Sequence, residues 1–173
     1  YIPHMHLARQ GKINSTLKTI ILANSREPLQ VEGDMVATMA AGDEGGRRLS
    51  AMMHEFALTD LTDLAEYIID NSRQATIAAI CKVPAGEYCN EMCLDGYDEP
   101  IILQARMTVG ADIVHVDFAG SSPQSRYGIN VVANYTEAYS CFGMKSIIAP
   151  EIPNNHGSLE PFSTSAPEGS ILN

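Results

Sequence analysis

The stretch His115-Val-Asp117-Phe-Ala-Gly120-Ser-Ser-Pro123-Gln124-Ser-Arg126-Tyr-Gly128-Ile-Asn130 decides how the chain is read. Ile113, His115 and Asp117 fall on one face and Val114, Val116 and Phe118 on the other, which is the period of two of a β-strand. Gly120-Ser-Ser-Pro then ends the strand, because glycine loosens the backbone and proline cannot donate to a ladder. After Gly128, the run Val131-Val-Ala-Asn-Tyr-Thr-Glu-Ala begins a helix, and Asn130 is placed to cap it. Asp117 at the strand end is expected to accept hydrogen bonds from the amides of residues 120–122, an Asx-type arrangement. Ser121, Ser122, Gln124 and Asn130 are thereby gathered at a strand-to-helix junction. Such a junction can hold a site, or simply make a sharp turn.

Working outward, the same period of two continues upstream. Glu87-Tyr-Cys-Asn-Glu-Met-Cys-Leu, Ile101-Ile-Leu-Gln-Ala-Arg-Met-Thr-Val and Ile113-Val-His-Val-Asp-Phe read as three strands. The connections are short, an acidic turn over 95–100 and Gly110-Ala-Asp112, so the three form an antiparallel meander. Asp95, Asp98 and Glu99 lack the spacing and distal glutamate of a calcium loop and read as a solvated turn. The helix after Asn130 carries Val131, Val132, Tyr135, Tyr139, Phe142 and Ile147, enough apolar surface to cover one face of the meander. From Pro150 onward the chain reads as loop-rich, with Asn154-Asn-His-Gly157 as a second polar turn.

Residues 1–84 have helical character instead. Residues 1–11 read as an extended lead-in, and Asn14 or Ser15 caps a short helix. Pro28 suits the first position of the next helix, which should run from 29 towards 56. That helix is expected to break or fray at Gly42-Asp-Glu-Gly-Gly46, since each interior glycine costs about 1 kcal/mol against alanine. A third helix opens at Thr59-Asp60, with Leu61, Leu64, Ala65, Ile68, Ala75 and Ala79 as its inward stripe, and Pro84-Ala-Gly86 ends it. The expected fold is α+β: a helical half followed, over 85–173, by a β-meander covered by a helix.

Several functions are disfavoured by composition. The 173 residues hold 21 acidic and 11 basic side chains, a net charge of −10, the wrong sign for nucleic acid or an anionic membrane. No apolar run approaches the ~20 residues that span a bilayer, and the N-terminus has no signal-peptide pattern. Cys81, Cys89, Cys93 and Cys141 are too sparse for a disulfide framework. Cys89 and Cys93, four apart on a strand, would have Cα atoms ~13 Å apart, beyond a single disulfide. A reduced, cytoplasmic protein is expected. The chain starts without Met and stops after an apolar pair, so both ends read as cuts through a longer protein.

Candidate chemistry within the chain is sparse. His4-x-His6 has a metal-ligand spacing but no third ligand nearby, so no metal is assigned. Gly42-Asp-Glu-Gly-Gly lacks the Gly-Lys-Ser/Thr end of a phosphate loop. No Gly-x-Ser-x-Gly elbow surrounds Ser121 or Ser122, and no base is placed beside them.

The motifs in order resemble those of the hydantoinase B/oxoprolinase family. They are Gly33-Asp-Met-x-Ala-x-x-Ala-Ala with Gly46-Arg-Arg-Leu, then Lys82-Val-Pro-Ala-Gly-Glu-Tyr, Asp117-Phe-x-Gly-Ser-Ser-Pro-Gln with Gly128-x-Asn130, Pro150-x-Ile-Pro-Asn-x-x-Gly, and Ala166-Pro-Glu-Gly-Ser-Ile-Leu-Asn. Residues Arg73, Ile77 and His156 depart from the family's tendencies. The resemblance implies part of an ATP-dependent hydrolase that opens cyclic amides such as hydantoins, 5-oxoproline or lactams. It further implies a partner ATPase of the hydantoinase A type, a small cyclic amide as ligand and an oligomer; ATP/Mg and a divalent metal are implied for the full complex, with no cofactor bound by these residues. Asp117, Ser121, Ser122, Gln124 and Asn130 would supply substrate-side contacts or fix the turn, with the catalytic residues elsewhere. Two alternatives remain: a related ATP-dependent ketone carboxylase, and a non-catalytic module that docks the ATPase.

Overall fold

Residues 3–173 are described by a computed structural model, in which the chain falls into two units, 1–60 and 61–173. The first unit opens with a tight hairpin, β1 (Ala8–Arg9) against β2 (Lys12–Ile13). Gln10 and Gly11 both have positive φ, 51° and 73°, as the commonest two-residue hairpin turn demands. The expected extended lead-in is therefore a hairpin as far as residues 8–11 are concerned; its strands are too short to show a period, and residues 1 and 2 lie outside the described residues. Helix α1 (Ser15–Ala23) starts as expected, with the Asn14 side chain accepting from the Leu17 amide at 3.1 Å.

Helix α2 (Pro28–Glu55) has Pro28 in its first turn, as read from the sequence, but runs unbroken for 28 residues. The glycine-rich segment does not interrupt it. Glu44 lies inside that segment and binds Arg47 Nε and Nη2 at 2.9 and 2.7 Å and Arg48 Nε at 2.6 Å, spacings that match neighbouring turns of a helix. These bonds hold the Glu44 carboxyl below the usual carboxylate range. Propensity costs summed over three glycines are evidently outweighed by the strong helix formers around them.

The second unit begins with α3 (Thr62–Ile80), two residues later than expected. Its inward line is Ile69, Ser72, Thr76 and Ile80, while Leu64 and Ile68 from the expected stripe are 41% and 46% exposed. A short helix, α5 (His156–Leu159), decides the difference. A Cβ added at Gly157 would lie 2.0 Å from the Ile69 carbonyl oxygen, so only glycine permits this approach. Around it Asn155 Nδ2 donates to Ser72 Oγ at 2.7 Å and Thr76 Oγ1 lies 3.3 Å from the Ser158 carbonyl. The helix turns its small and polar side inward because a backbone has to fit against it. Asn155 and Ser158 form a capping box, which accounts for the second polar turn.

The sheet has the order β3-β4-β5-β6. β3 (Gly86–Leu94) pairs antiparallel with β4 (Ile101–Val109) over nine residues, and β4 pairs antiparallel with β5 (Val114–Asp117). This is the expected meander, with boundaries within one residue. The fourth strand, β6 (Phe162–Ser165), runs parallel to β5 and was not expected in the loop-rich end. A parallel neighbour needs a crossover, supplied by the turn, α4 (Ala133–Ile148) and α5. Ile80, Val109, Val114, Val116, Cys141, Met144 and Phe162 form the core.

Helix α4 covers the sheet, but not with the expected face. Thr136, Cys141, Met144 and Lys145 are buried, whereas Val132, Tyr135, Tyr139, Phe142 and Ile147 are exposed. Thr136 Oγ1 donates to the Leu172 carbonyl at 2.7 Å and the Lys145 ammonium to that of Ile152. Polar side chains tethered to nearby carbonyls thus orient the helix, and apolar content alone misleads. Burial pushes the Cys141 thiol up, as does the charge of Glu137.

Two glycine substitutions should separate constraint from tolerance. Gly157→Ala must displace backbone and should cost about 1–3 kcal/mol as overpacking. Gly45→Ala meets nothing within 4 Å and should stabilise α2 by up to about 1 kcal/mol. Urea titrations of both variants check the opposite signs.

Candidate functional site

The strand-to-helix junction is built from borrowed hydrogen bonds. After Asp117 the chain leaves β5, yet it stays beside β4. Ser121 Oγ accepts from the Gln104 amide at 3.0 Å and donates to the Gln104 carbonyl at 3.2 Å. Ser122 Oγ accepts from the Ile102 amide at 2.9 Å, and its own amide donates to the Ile102 carbonyl at 2.8 Å. Gly120 turns with φ of 93°, and a Cβ there would sit 2.0 Å from Gln104 Oε1. Both serine hydroxyls are therefore engaged with backbone, a turn-fixing arrangement.

On its other side the junction is held by the C-terminal segment. The Gln124 amide donates to the Gly169 carbonyl at 2.8 Å, the Ile171 amide to that of Ser122 at 2.9 Å, and the Val131 amide to that of Ile171 at 3.0 Å. Asn130 does not cap α4, whose N-cap is Val132 without a side-chain bond. Its side chain instead accepts from the Ser125 amide at 2.8 Å and donates to the carbonyls of Ser125 and Tyr127 at 2.8 and 3.1 Å. It closes the loop 125–130 on itself, which a residue two positions ahead of the cap is free to do.

Asp117 makes an Asx-type contact one residue earlier than expected. Its Oδ1 accepts from the Ala119 amide at 3.0 Å and from Ser165 Oγ at 3.1 Å, while the amides of Ser121 and Ser122 go to the carbonyls of Phe118 and Ile102. Ser165 Oγ also lies 3.0 Å from His115 Nε2, and Ser163 Oγ 2.8 Å from His115 Nδ1. With Ser165 donating to Asp117, its oxygen is left to accept from His115 Nε2. His115 and Asp117 do share a face, as the period of two required, and together they tie β5 to β6.

Between the junction and the acidic loop lies a cleft of about 240 Å³. Its walls include Ser122, Gln124, Arg126 and Tyr127 on one side, and Tyr97 and Asp98 on the other. The acidic turn is thus more than a solvated loop. Asp98 Oδ2 lies 2.9 Å from Arg126 Nη2, and Asp98 Oδ1 accepts from the Tyr127 hydroxyl at 3.1 Å. The rings of Tyr97 and Tyr127 are 4.5 Å apart, and the Arg126 guanidinium sits 4.9 Å from the Tyr127 ring centre. Both charges are more than half exposed, so the pair contributes at most about 1 kcal/mol to stability. Tyr97, Arg126 and Tyr127 were given no role from the sequence, and Asp98 was read only as part of a solvated turn; no local pattern links positions almost thirty residues apart.

Among the described residues no three His, Cys, Asp or Glu side chains converge as metal ligands. The described donor sets do not fit the divalent metal that the family resemblance implies for the full complex. No helix of the described residues is long and apolar enough to cross a membrane.

The hydantoinase B/oxoprolinase family model matches residues 1–173, and the chain belongs to that family. It is 32% identical over 180 residues to a putative D-/L-hydantoinase B-type subunit of a Pseudomonas species, covering 95% of this chain and 30% of that protein. It is 24% identical over 152 residues to 5-oxoprolinase 1 of Arabidopsis thaliana, covering 80% of this chain and 12% of that one. The crystal structure of the ATP-dependent caprolactamase from Pseudomonas jessenii shares the fold, with a TM-score of 0.85 at 24% identity, over 99% of this chain and 30% of that one. The chain thus spans under a third of the length of these proteins.

Replacing Asp117 tests the tie. Asp117→Ala removes two bonds to a carboxylate and should cost about 1–3 kcal/mol, whereas Asp117→Asn keeps an acceptor and should cost less. Thermal melts read both; an unchanged melting temperature in Asp117→Ala would sink the assignment.

Proposed function

We propose that this chain is the scaffold and substrate-side part of an ATP-dependent hydrolase that opens cyclic amides, working with a hydantoinase A-type ATPase. The observation that carries this reading is the family match along the whole chain. The relatives add to it: one is described as a hydantoinase subunit and another as an oxoprolinase, and both names denote ring opening at an amide bond. A cytoplasmic location, where ATP is supplied, accompanies the reading.

An unstrained amide is a poor electrophile, and ATP supplies the activation of the ring carbonyl. What this chain contributes is binding and orientation. A small planar ring carrying N–H and C=O groups suits the cleft beside the junction, where the exposed Tyr97 ring, packed on Tyr127, offers a face. The Gln124 carboxamide can pair with an amide, and the Arg126 and Asp98 pair presents donors and an acceptor at the rim. Ser121 and Ser122 hold the wall rather than attack, since their hydroxyls are bonded to β4.

The test supplies the intact protein with its ATPase partner and follows ADP and ring-opened product from hydantoin, 5-oxoproline and caprolactam. Product should form with at least one of them only when ATP is present. Tyr97→Ala and Gln124→Ala should raise KM about tenfold, the loss of one or two modest contacts, with unchanged circular dichroism. Bicarbonate-dependent carboxylation of a ketone with no ring opening would contradict the reading.

A further inference from the structure

Three charged side chains line the cleft between the junction and the acidic loop: Asp98, Glu99 and Arg126. Arg126 is already engaged. Its Nη2 lies 2.9 Å from Asp98 Oδ2 and donates to the Tyr127 hydroxyl at 2.8 Å, and its guanidinium sits 4.9 Å from the Tyr127 ring centre. Asp98 therefore holds the position at which a ligand's carboxylate would meet this cation. Glu99 has no ion pair or side-chain hydrogen bond among the described residues. Two carboxylates against one guanidinium leave the cleft one negative charge in excess, within a chain whose own net charge is −10.

An uncharged ring meets no penalty here. Its N–H and C=O groups can pair with the Gln124 carboxamide, which both donates and accepts. A ring that carries a carboxylate must displace Asp98 from Arg126 or face Glu99 without a counter-ion. One unit charge repelling another from ~7 Å through water weakens binding roughly threefold, and the negative field of the whole chain acts in the same sense. Discrimination of this kind comes from an unfavourable contact with the wrong ligand, not from an added contact with the right one.

We propose that this cleft selects uncharged cyclic amides and works against rings that bear a carboxylate. The inference rests on the reading of the cleft as the substrate side and narrows it to one class of substrate. Arg126 Nε and Nη1 carry no bond among the described residues. That defines the opposite arrangement, a guanidinium positioned by Asp98 to clamp a substrate carboxylate through a two-pronged contact. The two arrangements predict opposite responses to loss of the Asp98 charge.

The probes are 2-pyrrolidinone and 5-oxoproline, which share a five-membered lactam ring and differ by a carboxylate. Binding of each to the intact protein with its ATPase partner is measured by calorimetry without ATP. The carboxylate-bearing ring should bind about threefold or more weakly than the uncharged one. Asp98→Asn, which frees Arg126, and Glu99→Gln should each narrow that ratio about twofold or more; both positions are exposed, so both variants should fold. Raising salt from about 0.1 to 1 M, where the screening length falls from about 10 to 3 Å, should narrow it too. Tighter binding of 5-oxoproline, a ratio that neither variant moves, or no binding of either ring overturns the inference. So does a ratio that widens in Asp98→Asn, the mark of a clamp. Product formation with ATP is followed separately. The expected binding ratios with no ring opened would contradict the hydrolytic reading alone, while ring opening with 5-oxoproline bound the tighter would contradict this inference alone.

Discussion

Two serine hydroxyls standing in for a β-strand are the constraint on which the second unit depends. β5 has only four residues, too few to occupy the length of β4. Where it ends, Ser121 and Ser122 continue its work by bonding the backbone of Gln104 and Ile102. The Gln104 amide is half-buried, and such a group left without a partner costs about 1–3 kcal/mol, so β4 needs the Ser121 hydroxyl or water there, while the exposed Ile102 amide is held by Ser122. The substitution lets the chain leave the sheet direction while remaining attached to it. The C-terminal segment then docks on the far side of the same residues. One short segment therefore joins the meander, the entry to α4 and the end of the chain, and the cleft against the acidic loop follows.

What was legible in the sequence was local. β3, β4 and β5 could be placed almost to the residue because each shows a clean period of two and their connections are short. Asn14 as a cap and Pro28 in a first turn needed only their immediate neighbours. The faces of α3 and α4 were another matter. Both helices have apolar residues on more than one side, and the choice between them is made by contacts distant in sequence. For α3 the deciding contact is the backbone at Gly157, which accepts nothing but a close, small surface. For α4 it is the pull of Leu172 and Ile152 carbonyls on Thr136 and Lys145. β6 was invisible because Phe-Ser-Thr-Ser has no alternating pattern and its partner lies almost fifty residues away.

The candidate site divides in the same way. That Asp117, Ser121, Ser122, Gln124 and Asn130 gather at one junction followed from the strand, the glycine and the proline. Their bonding partners did not. Asp117 reaches Ser165, and Asn130 turns back to Ser125 instead of capping a helix. The opposite wall of the cleft, with Tyr97 and Asp98, comes from a turn whose acidity suggested only solvation. The family resemblance named the junction as important; the physics of its hydrogen bonds explains why it keeps its shape.

Amide hydrogen exchange in a Ser121→Ala, Ser122→Ala variant tests this account most directly. The amides of Ile102 and Gln104 should exchange at least tenfold faster than in the parent, while those of Leu103 and Ala105, which face β3, keep their protection. Unchanged exchange at Ile102 and Gln104, or an equal rise at all four positions, would contradict the claim that the two hydroxyls replace a strand.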